Sequence, residues 1–192
     1  MSSATTSPRR PSRRGELLAV AAHLFAERGF ANVTVDDIGA AAGVSGPALY
    51  HHFDGKEALL GEMLVSISAS LLERGRSIVE QEQGGPALDR LIAMHVDFAL
   101  DDRPLITVHF RELVNAPDAD RRRVRDLQNA YVEIWVEELL NAYPELDQQV
   151  ARTKVHAAFG LMNSTPYSTR VRRDEMTTIL RSMTRAALAA DG

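Results

Sequence analysis

Between Gly29 and Asp54 the chain holds two helical segments, each too short to stand alone, joined by a turn of about four residues that carries a glycine. Thr34 occupies an N-cap position with Asp37 three residues on, so that hydroxyl and carboxylate can each satisfy a free backbone N–H. "VDDIGAAAG" then presents Val35, Ile38 and Ala42 on one side before Gly43 closes the segment. Ser45 caps the second segment, and Pro47 falls in its first turn, where a missing N–H costs nothing. This segment reaches about His52, with Leu49 and Phe53 four residues apart and assigned to a small shared core. Two such segments fold only against longer neighbours, which makes this a helix-turn-helix unit braced on both sides.

The bracing helices are legible. Leu17, Leu18, Ala21, Ala22, Leu24 and Phe25 recur at helical spacing before Gly29, which reads as a C-terminal glycine. Asp54 is expected to cap a long fourth helix that begins near Lys56 and carries Leu59, Leu60, Met63, Leu64, Ile67, Leu71 and Leu72. "QEQGGP" at 81–86 breaks the pattern, and further helices are expected over 87–100, 104–115, 119–142, 146–164 and 173–190, with "NSTPYST" separating the last two. No stretch alternates as a strand would and no internal repeat is visible. The expected fold is all-α, with about nine helices.

Composition narrows the chemistry. The chain has 192 residues, 45% of them hydrophobic and 25% charged, enough for a sizeable core in a globular protein. The absence of cysteine removes disulfides, thiolate metal sites and cysteine nucleophiles together. No apolar run approaches the roughly 20 residues of a membrane span, and "MSSATTSPRRPSRRGE" lacks the apolar segment of a secretion signal, so a cytoplasmic protein with no membrane partner is expected. His51 and His52 are adjacent, point about 100° apart on a helix and cannot chelate one ion, so neither metal nor cofactor is expected. His95 with Asp97, His109 with Glu112, and Ser164 are conceivable acid–base or nucleophilic groups. None has a glycine-framed turn or a third orienting residue, and an enzyme is not expected.

"LFAERGFANVTVDDIGAAAGVS", followed by "LYHHF" and "KEALL", resembles the DNA-binding domain of the TetR/AcrR (tetracycline-repressor) family of bacterial transcription regulators. The resemblance covers roughly residues 14–65 and runs in order through Phe25, Gly29, Thr34, Ile38, Ala42, Gly43, Val44, Leu49, Tyr50, Phe53, Lys56 and Leu60. It implies a nine-helix TetR-like architecture, with an N-terminal three-helix helix-turn-helix head and a C-terminal helical ligand-binding and dimerisation bundle. The corresponding division is a disordered basic arm over 1–11, a DNA-binding domain over 12–72 with the motif at about 35–54, and a sensor and dimerisation domain over 73–192. It further implies a homodimeric repressor on a palindromic double-stranded operator, released when a small molecule binds.

A recognition helix enters the major groove by its N-terminal end. Ser45, Gly46 and Pro47 are small enough for close approach, and Tyr50 and His51 project within one turn of them. Thr34 caps a helix N-terminus, where a phosphate is favoured. Lys56 matches the family's lysine that holds the DNA backbone, and Arg13 and Arg14, with Arg9 and Arg10, are expected to reach phosphates or an adjacent groove. Residues 1–60 hold six cations (Arg9, Arg10, Arg13, Arg14, Arg28, Lys56) and six anions (Glu16, Glu27, Asp36, Asp37, Asp54, Glu57), so affinity must come from placed contacts and not from bulk charge.

In the C-terminal half, inward stripes nominate pocket residues: Met94, His95 and Phe98, then His109 and Phe110, then Tyr131 and Trp135, then Phe159, Met162 and Asn163. His95, His109 and Asn163 are the expected orienting groups for a hydrophobic effector such as a fatty acid, an acyl-CoA or a drug-like compound. The family pairs its last two helices into a four-helix dimer bundle, which nominates Val155 and Ala158 on one and Met176, Ile179, Leu180, Met183 and Ala187 on the other. Two other readings stay open: a helical ligand-binding or adaptor protein whose neutral head does not bind DNA, and an all-α hydrolase.

Overall fold

Ser12 opens the first helix, α1 (Arg13–Arg28), by accepting a hydrogen bond from the Gly15 N–H. This computed structural model describes residues 12–168 and 170–190, so the arm expected over 1–11, with Arg9 and Arg10, lies outside the described residues. Gly29 ends α1 with φ 79 and ψ 149, a conformation that only glycine adopts without strain, and turns the chain into one 3₁₀ turn, Phe30–Asn32. Helix α2 (Val35–Ala42) begins with both halves of the capping box. The Thr34 N–H and hydroxyl donate to Asp37 Oδ2 at 2.8 and 2.6 Å, and the Asp37 N–H donates to Thr34 Oγ1 at 3.1 Å. These bonds hold the Asp37 carboxyl below the usual range. Ser45 caps α3 (Gly46–Tyr50), accepting from the Ala48 N–H at 3.4 Å.

The longer helices depart from expectation mainly at their ends. Helix α4 (Lys56–Val79) takes Gly55, at φ 129, as its N-cap, and no side chain caps it, so Asp54 is not the cap. The paired glycines that read as a break instead open α5 (Gly84–Asp101): the Gly84 N–H donates to the buried Glu138 carboxylate, an anion placed where a helix N-terminus favours one. Helix α6 (Arg103–Glu112) gives way to a 3₁₀ turn at Leu113–Asn115 before α7 (Asp118–Ala142) and α8 (Gln148–Met162). Inside the linker "NSTPYST" lies an unforeseen helical turn, α9 (Thr165–Ser168), anchored where the Thr165 hydroxyl donates to the Ala99 carbonyl at 2.6 Å. Helix α10 (Arg173–Ala189) completes ten α-helices and two 3₁₀ turns among the described residues.

Two cores form, and α4 serves both. Leu17, Phe25, Ile38, Leu49, Leu60 and Leu64 build the head, which also takes in Val108, Ala116 and Val124 from beyond residue 100. Leu72 and Ile78 of the same helix join Leu91, Trp135, Leu139, Val155 and Leu180 in the bundle. A division near residue 72 therefore falls within one continuous helix. Gly61, Ser68 and Gly75, each seven residues from the next, lie along α4, and the two glycines face α7. A Cβ at Gly75 would stand 3.0 Å from Tyr131 Cε2, and one at Gly61 would overlap the Asp120 carboxylate.

Gly29→Ala forces a Cβ onto backbone held at positive φ. It is expected to cost about 1–3 kcal/mol, measured as a lower urea midpoint at unchanged m-value.

Candidate nucleic-acid interface and ligand cavity

On α3 the buried and exposed sides divide cleanly. Leu49 and Phe53 sit in the core, while Ser45, Pro47 and His51 are exposed and Tyr50 is 58% exposed. Pro47, Tyr50 and His51 share one side by helical spacing, so the open edge runs from the Ser45 cap to the end of the helix. Thr34 is exposed at the start of α2, with its hydroxyl already engaged by Asp37.

The nominated cations behave differently from expectation. Arg13 and Arg14 are the first two residues of α1. Arg13 donates to the Ala42 carbonyl at the end of α2 and to Glu16, each at 2.7 Å. Arg14 donates from Nε and Nη2 to the Glu62 carboxylate of α4 and from Nη1 to the His52 carbonyl at 2.5 Å, with its guanidinium 4.3 Å above the Phe53 ring. It thus ties α1, α4 and the end of the helix-turn-helix together. Lys56 donates to the Phe30 and Val33 carbonyls at 3.0 and 3.1 Å and lies 4.4 Å over the Phe30 ring, leaving one of its three N–H donors.

A cavity of about 280 Å³ opens among α4, α5, α6, α7 and α8. Seven of the nominated residues line it: His95, Phe98, His109, Phe110, Tyr131, Phe159 and Asn163. Met94, Trp135 and Met162 do not; they are buried in the bundle core behind it, because an inward stripe on a helix is wider than the arc that reaches a cavity. Phe110 is 60% exposed and stands at the rim. At the back, His95 Nε2 donates to Asn163 Oδ1 at 3.1 Å, and His95 Nδ1 accepts from the Tyr131 hydroxyl at 3.2 Å. Burial pushes the His95 pKa down to about 4, with the Asn163 bond only partly opposing, so the ring is neutral at pH 7. Burial likewise raises the Tyr131 phenol, partly offset by a loose approach of the Trp135 indole N–H, which closes no full hydrogen bond. Gln128 Nε2 lies 2.5 Å from His109 Nε2, and burial lowers the His109 pKa, again opposed by this bond. Tyr131 and Phe159 stack at 5.5 Å with 24° between their planes.

An exposed helix braced to a long helix that also walls a cavity is the arrangement anticipated from the motif. A family model described as "Bacterial regulatory proteins, tetR family" matches residues 17–63, and one described as "Tetracyclin repressor-like, C-terminal domain" matches residues 85–167. The chain belongs to the TetR family. It is 35% identical over 127 residues to the HTH-type transcriptional repressor KstR2 of Rhodococcus jostii, covering 65% of this chain and 62% of that protein. Against KstR2 of Mycobacterium tuberculosis it is 36% identical over 122 residues, 64% of this chain and 58% of that one, so the chain spans less than two thirds of the curated relatives it matches. The solved structure of the ketosteroid transcriptional regulator KstR2 of Mycobacterium tuberculosis superposes with a TM-score of 0.77 at 25% identity, over 94% of this chain and 95% of that one. A TetR-family regulator from Bordetella parapertussis shares the fold at a TM-score of 0.82 and 24% identity, over 94% and 96%.

In this TetR-family chain the nominated dimer residues divide. Val155, Ala158, Met176 and Leu180 are buried in the chain's own core and are corrected to intramolecular packing. The helices carry apolar residues on two sides, and periodicity alone does not say which side meets the chain itself. Ile179 and Met183 remain 40% and 51% exposed, and Ala187 is half-buried. On α8 the outer side carries Val150, Thr153, Ala157 and Gly160, and nothing lies within 4 Å of a Cβ built at Gly160.

The imagined acid–base pairs come apart. Asp97 pairs with Arg173 and Arg181, the Glu112 carboxylate accepts from Asn115, and the Ser164 hydroxyl meets that of Ser168. Among the described residues no group of three or more His, Asp or Glu is placed to hold a metal, and no helix is long and apolar enough to cross a membrane. The sequence reading missed Ile67, Ser68 and Leu71 on α4, Gln128 and Asn129 on α7, and His156 on α8. Gln128, Tyr131 and Trp135 do recur at i, i+3 and i+7, the stripe that could have exposed Gln128.

The folded pKa of His95 lies below the unfolded value, so the unfolded chain takes up the extra proton. The resulting stability is complete above about pH 6.5 and is lost as pH falls toward 4. Between pH 7 and pH 5 the wild type should lose about 2 kcal/mol that a His95→Gln variant does not lose, read from urea unfolding at both pH values.

Proposed function

We propose that this chain is a cytoplasmic, dimeric transcriptional repressor that binds a palindromic operator and releases it when a small hydrophobic effector enters the cavity between α4 and α8. The observation that carries the reading is the open edge of Ser45, Pro47, Tyr50 and His51, on a helix whose other side is fixed to α1 and α4. An unburied tyrosine beside a small-residue helix start suits phosphate and thymine-methyl contact. The relatives named as repressors support the same role. Gly46 is assigned to the DNA side by its place in α3. Thr34 offers its helix end, and Lys56 its remaining N–H, to phosphate.

Two recognition helices must stand about 34–36 Å apart to enter successive major grooves. Helix α4 links that spacing to the cavity. Ile67, Ser68 and Leu71 wall the cavity, while Glu62 holds Arg14 and Lys56 holds the turn before α2. Tyr131 bonds His95 at the back of the cavity and presses its ring on α4 at Gly75. An effector that shifts Tyr131 therefore shifts α4, and release follows where the effector binds the spread arrangement better.

The dimer is assigned to the outer faces of α8 and α10, with Ile179, Met183 and Ala187 against Val150, Ala157 and Gly160. Ile179→Glu with Met183→Glu should convert a dimer into a folded monomer in sedimentation at micromolar protein, and a monomeric wild type would sink the assignment.

A gel shift on the DNA upstream of the gene should show a saturable complex. Tyr50→Ala with His51→Ala should weaken it at least about tenfold with little change in its salt dependence, since neither substitution removes a lysine or arginine, whereas a wild type that retards no DNA favours the adaptor reading.

A further inference from the structure

The cavity is lined without a carboxylate or a strong base among the described residues. None of the described residues that line it is Asp, Glu, Lys or Arg, and its ionisable side chains at the back are the buried His95 and Tyr131, with His109 partly buried. Both histidines are held toward the neutral form by burial. A carboxylate placed beside them would lose its water with no cation among the described lining residues to pair with it, Arg74 acting on His95 and Tyr131 only from outside that lining.

The hydrogen bonds already made fix what remains to be satisfied. Asn163 Oδ1 can only accept, so His95 carries its proton on Nε2 and its Nδ1 accepts from the Tyr131 hydroxyl. His95 Nε2–H then donates to Asn163 Oδ1, which spends the amide's acceptor and leaves its NH₂ without a partner among the described residues. Across the cavity Gln128 donates to His109 Nε2, so the neutral ring carries its proton on Nδ1. The unspent groups of Asn163 and His109 are donors. Around them Phe98, Tyr131 and Phe159 supply an apolar, aromatic wall.

We infer that the effector buries an uncharged apolar body bearing a carbonyl oxygen of a ketone, ester or thioester, which accepts from the Asn163 amide, while any ionised group of the same molecule stays outside the mouth near Asn129 and His156. The inference rests on the cavity being the effector site. It divides the candidates nominated from sequence: a free fatty acid entering head first is excluded, and an acyl-CoA thioester or a drug-like compound that presents a carbonyl is kept.

The chain's one tryptophan, Trp135, lies with its ring 5.0 Å from that of Phe159, a cavity residue, so its fluorescence reports occupancy. Full-length protein at pH 7.5 is titrated with 2-undecanone and 2-decalone and with the matched acids, undecanoate and decalin-2-carboxylate. The ketones should bind at least about tenfold more tightly than the acids. Asn163→Asp, which keeps shape and replaces the amide donor by an acceptor, should remove that preference while the far-UV circular dichroism stays unchanged. Asn163→Leu is the second variant, and it should weaken the ketones at least about tenfold while leaving the weak acid binding as it was. Equal or tighter binding of the acids overturns the inference and leaves the effector cavity standing, as does ketone binding indifferent to both variants. If neither class perturbs Trp135 up to about 1 mM, the cavity is not the effector site and both readings fall.

Discussion

Tyr131 is the side chain on which the two halves of the molecule depend. Its ring lies against α4 where Gly75 leaves no Cβ in the way, and its hydroxyl donates to His95. Its neighbours Trp135 and Phe159 complete an aromatic cluster with centroid separations of 5.0 to 6.1 Å, packed too closely to deform gradually. Anything that moves this ring must move α4 or break the His95 bond. In the proposed switch, Gly75 is the contact through which chemistry in the cavity would become motion of a helix.

The head explains why such motion would matter. Helix α3 spans five residues, far below the length at which a helix holds itself, so its position is set by what grips it. Leu49 and Phe53 anchor it from beneath, and Arg14 carries its end to Glu62 on α4. Lys56 fastens the turn before α2 to the first residue of the same helix. Two cations that the motif nominated for phosphate are thereby engaged in holding the head to α4. Arg14 spends its charge on an anion and a carbonyl inside the chain, and Lys56 spends two of its three donors.

The cavity owes its character to what the fold leaves out. Five helices meet there with histidines, amides and aromatic rings but without an acid or a strong base among the described lining residues. His95 is satisfied by Tyr131 and Asn163, and His109 by Gln128, which leaves the remaining polar atoms of these side chains to orient a ligand.

Local rules placed what local forces decide. The Thr34–Asp37 capping box, the Ser45 cap and Gly29 each stood where spacing put them, because caps and left-handed glycines are settled within a few residues. The helical stripes also nominated seven of the residues that line the cavity. Where a partner lies far along the chain, spacing failed. Glu138 reaches 54 residues back to start α5 at Gly84, Glu62 takes an arginine 48 residues away, and Ala99 anchors α9 through Thr165. Val155 and Leu180 turned inward and Ile179 and Met183 outward, a choice between two apolar sides that only the packing of α8 and α10 on α5 and α7 could make. The sequence by itself determined an all-α chain with a helix-turn-helix head, because period, caps and turns are local. Tertiary structure alone decided which cations are spent, which helix faces stay open and which donors remain free, because each depends on groups brought together from distant segments.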